Sequence, residues 1–130
     1  MVSGGYPRYW CADFVNYCRR QTYGSNCPKW VGSPGVYYLK ESARKYNAYI
    51  ELPRTNRANY IAKNIKPGYV MIQLNSSSGK SSGHTGIVER VNTDGSFVVI
   101  EGNSGRINGG QVRRVTYKPT CKTLRGFICV

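Results

Sequence analysis

GHTGIVERVNTDGSFVVIEGN, residues 83–103, holds two runs of alternating or β-branched residues around the segment NTDGS at 92–96. TGIVERV at 85–91 and SFVVIEG at 96–102 have the composition of strands. Asp94-Gly95 tolerates the positive φ that a tight hairpin turn demands. The stretch therefore reads as an antiparallel hairpin whose open end brings His84 toward residues 101–103. Side chains alternate along a strand, so Glu101 and Asn103 share one face whatever the register. Whether His84 shares that face turns on a slip of one residue, which the sequence leaves open.

Working outward, further strands are expected at YVMIQL (69–74), QVRRVTY (111–117) and GFICV at the end of the chain. Upstream the period changes. Trp10, Cys11, Phe14, Val15 and Cys18 recur at helical spacing, and this helix should end near Arg19 and Arg20, ahead of Gly24, with basic residues that suit the helix dipole. A second helix is expected after Ser33 and Pro34, with Val36, Leu39, Ala43 and Tyr46 on one side. Residues 53–66 show no clear period. Helices followed by antiparallel strands make an α+β domain, with N-terminal helices packed on a C-terminal sheet or half-barrel. A chain of 130 residues that is 40% apolar suits one domain over residues 1–130. There is no internal repeat, and NSSSGKSSG at 75–83 reads as a loop leading into His84.

Nineteen Lys and Arg against six Asp and Glu leave a net charge of +13. Such a field concentrates polyanions and weakens with salt. Nucleic acid, anionic lipid and anionic cell-wall polymer all fit it, and so does plain solubility. No apolar run approaches the ~20 residues of a membrane helix. The opening MVSGG lacks the basic and apolar regions of a signal peptide, so an exported form would have lost a leader or taken another route.

Cysteine stands at 11, 18, 27, 121 and 129, with a single histidine in the chain, so no zinc-type set is complete. In an oxidising compartment four of these thiols pair; Cys18, Cys27, Cys121 and Cys129 are the candidates, and proximity favours Cys18 with Cys27. In a reducing one all five stay free.

Two motifs in the 75–83 loop fail on context. GKSSG at 79–83 fits the G-x-S-x-G pattern, but a nucleophile elbow runs from strand into helix, whereas this segment runs from loop into strand. Its GKS wants a glycine at 74 to make a phosphate loop, and Leu74 is there. Cys11 is different. It opens the first helix, where unpaired N–H groups and the dipole favour a thiolate. An imidazole within reach would serve as base toward that thiol and as acid toward a leaving amine, provided a third group such as Glu101 or Asn103 fixes its tautomer.

YWCADFVNYCRR at 9–20, taken with residues 83–103, resembles the signature of the CHAP family, the cysteine, histidine-dependent amidohydrolases and peptidases. In that family a cysteine opens a helix in a W-C-x-x-F-V context, a G-H-x-G-I-V segment carries the histidine, and E-G-N follows on the next strand. Pro67-Gly68 before a strand and Gly126-Phe127 near the end are also similar to the family, although Tyr69 replaces its usual aspartate. The resemblance implies a papain-like fold and hydrolysis of an amide bond in peptidoglycan, either as N-acetylmuramoyl-L-alanine amidase or as peptide endopeptidase. It implies Cys11 as nucleophile, His84 as general base, Glu101 as the residue that orients the imidazole and Asn103 as a further polar member. The second oxyanion donor, beside the Cys11 N–H, would be a side chain such as Tyr6 or Tyr9, and Trp10 is the best candidate for contact with substrate.

Residues 1–10 contain no carboxylate, so the aspartate-rich calcium loop of some members is missing; neither metal nor cofactor is expected. The implied partners are bacterial peptidoglycan and its anionic polymers, with no nucleic acid, no membrane insertion and a monomeric state. The implied setting is extracellular, periplasmic or phage-associated, as in secreted antibacterial hydrolases and endolysins. A wall-binding module without catalysis is the alternative from another class. A basic nucleic-acid-binding domain is a third, though no known motif or basic helical stripe supports it.

Overall fold

The computed structural model describes residues 11–32, 35–75, 83–104 and 111–129. Its elements in chain order are α1 (Cys11–Tyr23), a short 3-10 turn (Gly24–Asn26), α2 (Val36–Lys45), β1 (Tyr49–Glu51), α3 (Arg57–Asn64), β2 (Val70–Leu74), β3 (Gly83–Val91), β4 (Phe97–Ser104), β5 (Gln111–Tyr117) and β6 (Leu124–Ile128). The strands form one antiparallel sheet in the order β1-β6-β2-β3-β4-β5. The expected α+β architecture is therefore present, with three α-helices on a six-stranded sheet among the described residues.

The two faces of the sheet carry different layers. Val70, Ile72 and Leu74 point toward α1 and α2, packing with Val15, Leu39, Ala43 and Trp30. Met71 points the other way, into Ile61 of α3, Phe97, Val99, Leu124 and Phe127. All five residues of β2 are buried, as a strand covered on both faces must be. Phe97 meets Phe127 edge-to-face with centroids 5.2 Å apart, an arrangement the ring quadrupoles favour.

Several expectations need correction. Helix α1 runs on to Tyr23, and Arg19 does not sit in a solvated basic turn: it is buried, and its guanidinium donates to the Gly68 carbonyl. Burial lowers its pKa from the ordinary arginine value. The buried side of α1 also includes Asn16, whose Oδ1 accepts the Gly32 N–H at 2.9 Å, so two polar residues tie this helix to neighbouring loops. Tyr46 leaves the apolar side of α2, because the helix ends at Lys45 and the ring turns out to solvent. The unclear stretch 53–66 contains α3, preceded by the three-residue β1 that pairs only with β6. Trp30 is part of the core beneath α1 and α2.

All five cysteines are free thiols, so none of the candidate disulfides among Cys18, Cys27, Cys121 and Cys129 is formed. Cys121 and Cys129 flank the five-residue β6, which alone spans roughly 15 Å, whereas a disulfide needs Cα atoms ~4.4–6.8 Å apart. Cys129 donates to the Ala48 carbonyl at 3.2 Å, and Cys121 lies 3.5 Å from Thr123 Oγ1.

Candidate active site

The hairpin forms as its sequence demands. Asn92 and Ser96 close it through an N–H to carbonyl bond of 2.8 Å, Gly95 takes φ +87°, and Asp94 Oδ1 accepts both the backbone N–H and the hydroxyl of Ser96. Beyond the turn, Val91 pairs with Phe97 and Arg90 with Val98; then the register shifts, and Val88 pairs with Val99 and Ile87 with Ile100. Glu89 is the extra residue, a β-bulge on β3, and it is exposed, with its carboxylate held by Arg114 of β5 at 2.5 and 2.9 Å.

That bulge settles the slip of one residue. A ladder running on from Val91–Phe97 without it would set His84 opposite residue 104, on the face of residue 102 and away from Glu101. With Glu89 looped out, His84 falls opposite residue 103 and shares its face with Glu101, a diagonal neighbour that a long side chain can reach. The intervening position is Gly86. A Cβ there would run into Val99 and stand 2.9 Å from the Ile100 carbonyl and 3.0 Å from Glu101 Cβ, so only glycine leaves room for the carboxylate to cross.

It crosses. Glu101 Oε2 lies 2.6 Å from His84 Nε2, and Glu101 Oε1 accepts the Tyr117 hydroxyl at 2.7 Å. The carboxylate side chain is only 3% exposed and the imidazole 23%, so the acid is dry while one edge of the ring faces outward. The other partner of His84 is Cys11, whose side chain hydrogen-bonds the ring from the first residue of α1. With Nε2 engaged by Glu101, Nδ1 is the nitrogen left for the thiol. Cys11 belongs to the layer beneath α1 and α2, whereas His84, opposite Gln73 and in line with Met71, belongs to the row facing α3. Their hydrogen bond joins the two layers.

The electrostatics follow from these contacts. Burial pulls the His84 pKa down, but hydrogen bonds to Cys11 and Glu101 and the charges of both outweigh it, and the value rises to about 9. The ring therefore holds two protons at neutral pH, one for each partner. Tyr117 is pushed far above the usual tyrosine range by burial and by the Glu101 carboxylate, so it stays a donor.

Three of the four predicted catalytic positions thus converge: Cys11, His84 and Glu101. The backbone of Asn103 lies in β4, but its side chain is outside the described residues, as are Tyr6, Tyr9 and Trp10. The 76–82 loop with its GKSSG motif is outside them too. Sequence reasoning missed Tyr117, Gly86 and Gln73. The phase of QVRRVTY was the available signal for Tyr117, since it sits two pairs along β5 from the partner of Val99. Among the described residues no three His, Cys, Asp or Glu side chains gather as a metal set, and no helix is long and apolar enough to cross a membrane.

Fold and site together define an α+β protein with a cysteine, an imidazole and a carboxylate in line at the end of its sheet. The model of the CHAP domain matches residues 1–103, and the chain belongs to the CHAP family. Membership carries a peptidoglycan-hydrolase or peptidase-like function with peptidoglycan as the implied substrate. No curated protein matches the chain. The match ends before β5 and β6, yet β6 lies between β1 and β2 and β5 supplies Tyr117, so the later residues complete the same sheet and the same site.

Proposed function

We propose that this protein hydrolyses an amide bond of peptidoglycan through a thiol intermediate, acting as an N-acetylmuramoyl-L-alanine amidase or as an endopeptidase of the stem peptides. The observation that carries the proposal is the continuous Cys11–His84–Glu101 chain, buried at the carboxylate end and open at the ring. The ring is already imidazolium at neutral pH, one of its protons facing Cys11, and it stabilises the thiolate beside it. The sulfur attacks the carbonyl carbon, and the oxyanion that forms faces the N–H groups of the first turn of α1. His84 then protonates the leaving amine as the C–N bond breaks, which leaves a thioester and a neutral ring. That ring removes a proton from water, the hydroxide attacks the thioester, and the C–S bond breaks to release the carboxylic acid and restore the thiolate and imidazolium. Glu101 stays ionised throughout and holds the ring in position.

The net charge of +13 supports work on a wall rich in anionic polymers, in an extracellular, periplasmic or phage-associated setting where a secreted antibacterial enzyme or endolysin acts. Mass spectrometry of products from defined peptidoglycans tests both reaction and bond. A new amino terminus on the stem L-alanine identifies an amidase, and shortened peptides identify an endopeptidase. If the wild-type protein releases nothing while still binding wall, the non-catalytic reading replaces this one.

A further inference from the structure

The carboxylate of Glu101 is itself the end of a longer chain. Thr123 Oγ1, in the turn before β6, donates to Gln73 Oε1 at 2.8 Å. The Gln73 amide, from β2, donates to the Tyr117 hydroxyl, and Tyr117, from β5, donates to Glu101 Oε1 at 2.7 Å. Every donor in this series points toward the carboxylate. Hydrogen bonds running in one sense polarise one another, and a dry environment strengthens each of them. Gln73 is buried, and the Tyr117 ring stacks on Phe97 with centroids 5.9 Å apart, so none of these groups is free to turn away.

We infer that Tyr117, backed by Gln73 and Thr123, is a positioning residue that fixes the Glu101 carboxylate in the orientation in which it meets His84. The need for it is physical. A glutamate reaches diagonally across the ladder on three rotatable bonds, and a hydrogen bond on its second oxygen limits that freedom. Tyr117 satisfies that oxygen and leaves Oε2 for the ring. Arg113, the pairing partner of Glu101 on β5, is exposed. Cys121 faces the tyrosine from the turn beyond β5. The inference rests on the proposed thiol mechanism for its catalytic meaning, though not for its geometry.

The test is Tyr117→Phe, which keeps the ring against Phe97 and removes only the hydroxyl. Two readouts are taken: kcat and KM on a defined peptidoglycan fragment across pH, and the pH dependence of Cys11 alkylation by iodoacetamide, followed on the Cys11 peptide by mass spectrometry. A loosened carboxylate supports imidazolium and thiolate less well. The expected result is a kcat about tenfold to a hundredfold lower with KM unchanged, the loss of a hydrogen bond to a charged group. The bell-shaped rate profile narrows, and the alkylation profile moves by about one pH unit. A kcat and both profiles superimposable on wild type overturn the inference. Should Tyr117→Phe fail to fold, Thr123→Val, which touches neither Glu101 nor His84, is expected to shift both profiles in the same sense by a smaller amount, and an unmoved pair of profiles overturns the inference there. Alkylation needs no substrate. An inactive wild type with a displaced variant profile therefore refutes the reaction and keeps the role of Tyr117, whereas an active wild type with an unmoved one does the reverse.

Discussion

Replacing Glu101 with glutamine tests the electrostatics of the site most directly, because it keeps the shape and an acceptor oxygen and removes one charge. The His84 pKa lies near 9 against an ordinary 6.5, although burial alone would take it downward. At about 1.4 kcal/mol per pH unit, the contacts of the folded state favour the imidazolium by roughly 3 kcal/mol. Cys11 supplies at least as much of this as Glu101, so the share removed with Glu101 is at most about half, on the order of 1.5 kcal/mol, roughly tenfold in kcat/KM near neutrality. His84 is the only histidine in the chain, so its ring resonance in an NMR titration is unambiguous. Wild type should titrate near pH 9 and Glu101→Gln well below it, with the alkaline limb of the rate profile moving by the same amount. Linkage adds a second measurement. A folded pKa above the unfolded one stabilises the protein fully below pH ~6.5, and this stabilisation is lost as pH rises through ~9. Denaturation midpoints of wild type should fall over that window, and those of Glu101→Gln should fall less. A wild-type midpoint near 6.5, or one that the substitution leaves in place, would refute the ion-pair account.

Cys11→Ala and His84→Ala should each abolish clearing of wall suspensions while binding to sedimented walls persists, and Glu101→Gln should be milder than either. Gly86→Ala should lower stability by about 1–3 kcal/mol in a urea titration, and it should reduce activity beyond that loss because the new methyl stands against Glu101 Cβ. Arg19→Leu leaves the Gly68 carbonyl without its donor, at a cost of about 1–3 kcal/mol in the same titration, with little change in the His84 resonance.

What could be read without coordinates was local. Asp94-Gly95 between two β-branched runs specifies its turn by backbone sterics, and the apolar spacing around Cys11 and Leu39 specifies helices by their period. The elements that escaped are those whose stability is borrowed from elsewhere. β1 is three residues long and exists because β6 lies beside it. Helix α3 offers one fully buried side chain, Ile61, and is tethered by Arg57, which donates to the carbonyls of Pro53 and Leu124. Arg19 and Asn16 are polar residues of α1, and their burial follows from partners at Gly68 and Gly32 that no periodicity reveals.

By itself the sequence determined the residue types of the site, the hairpin that carries His84 and Glu101, and the helix that Cys11 opens, since each follows from a local rule of turn, period or cap. Only the tertiary structure decided that the three groups meet. A single looped-out residue, Glu89, changes which face of the sheet His84 occupies relative to Glu101. Whether a strand bulges depends on the strands on either side of it, here the pairing with β4 and the clasp of Arg114 from β5, and not on the residues of the hairpin alone.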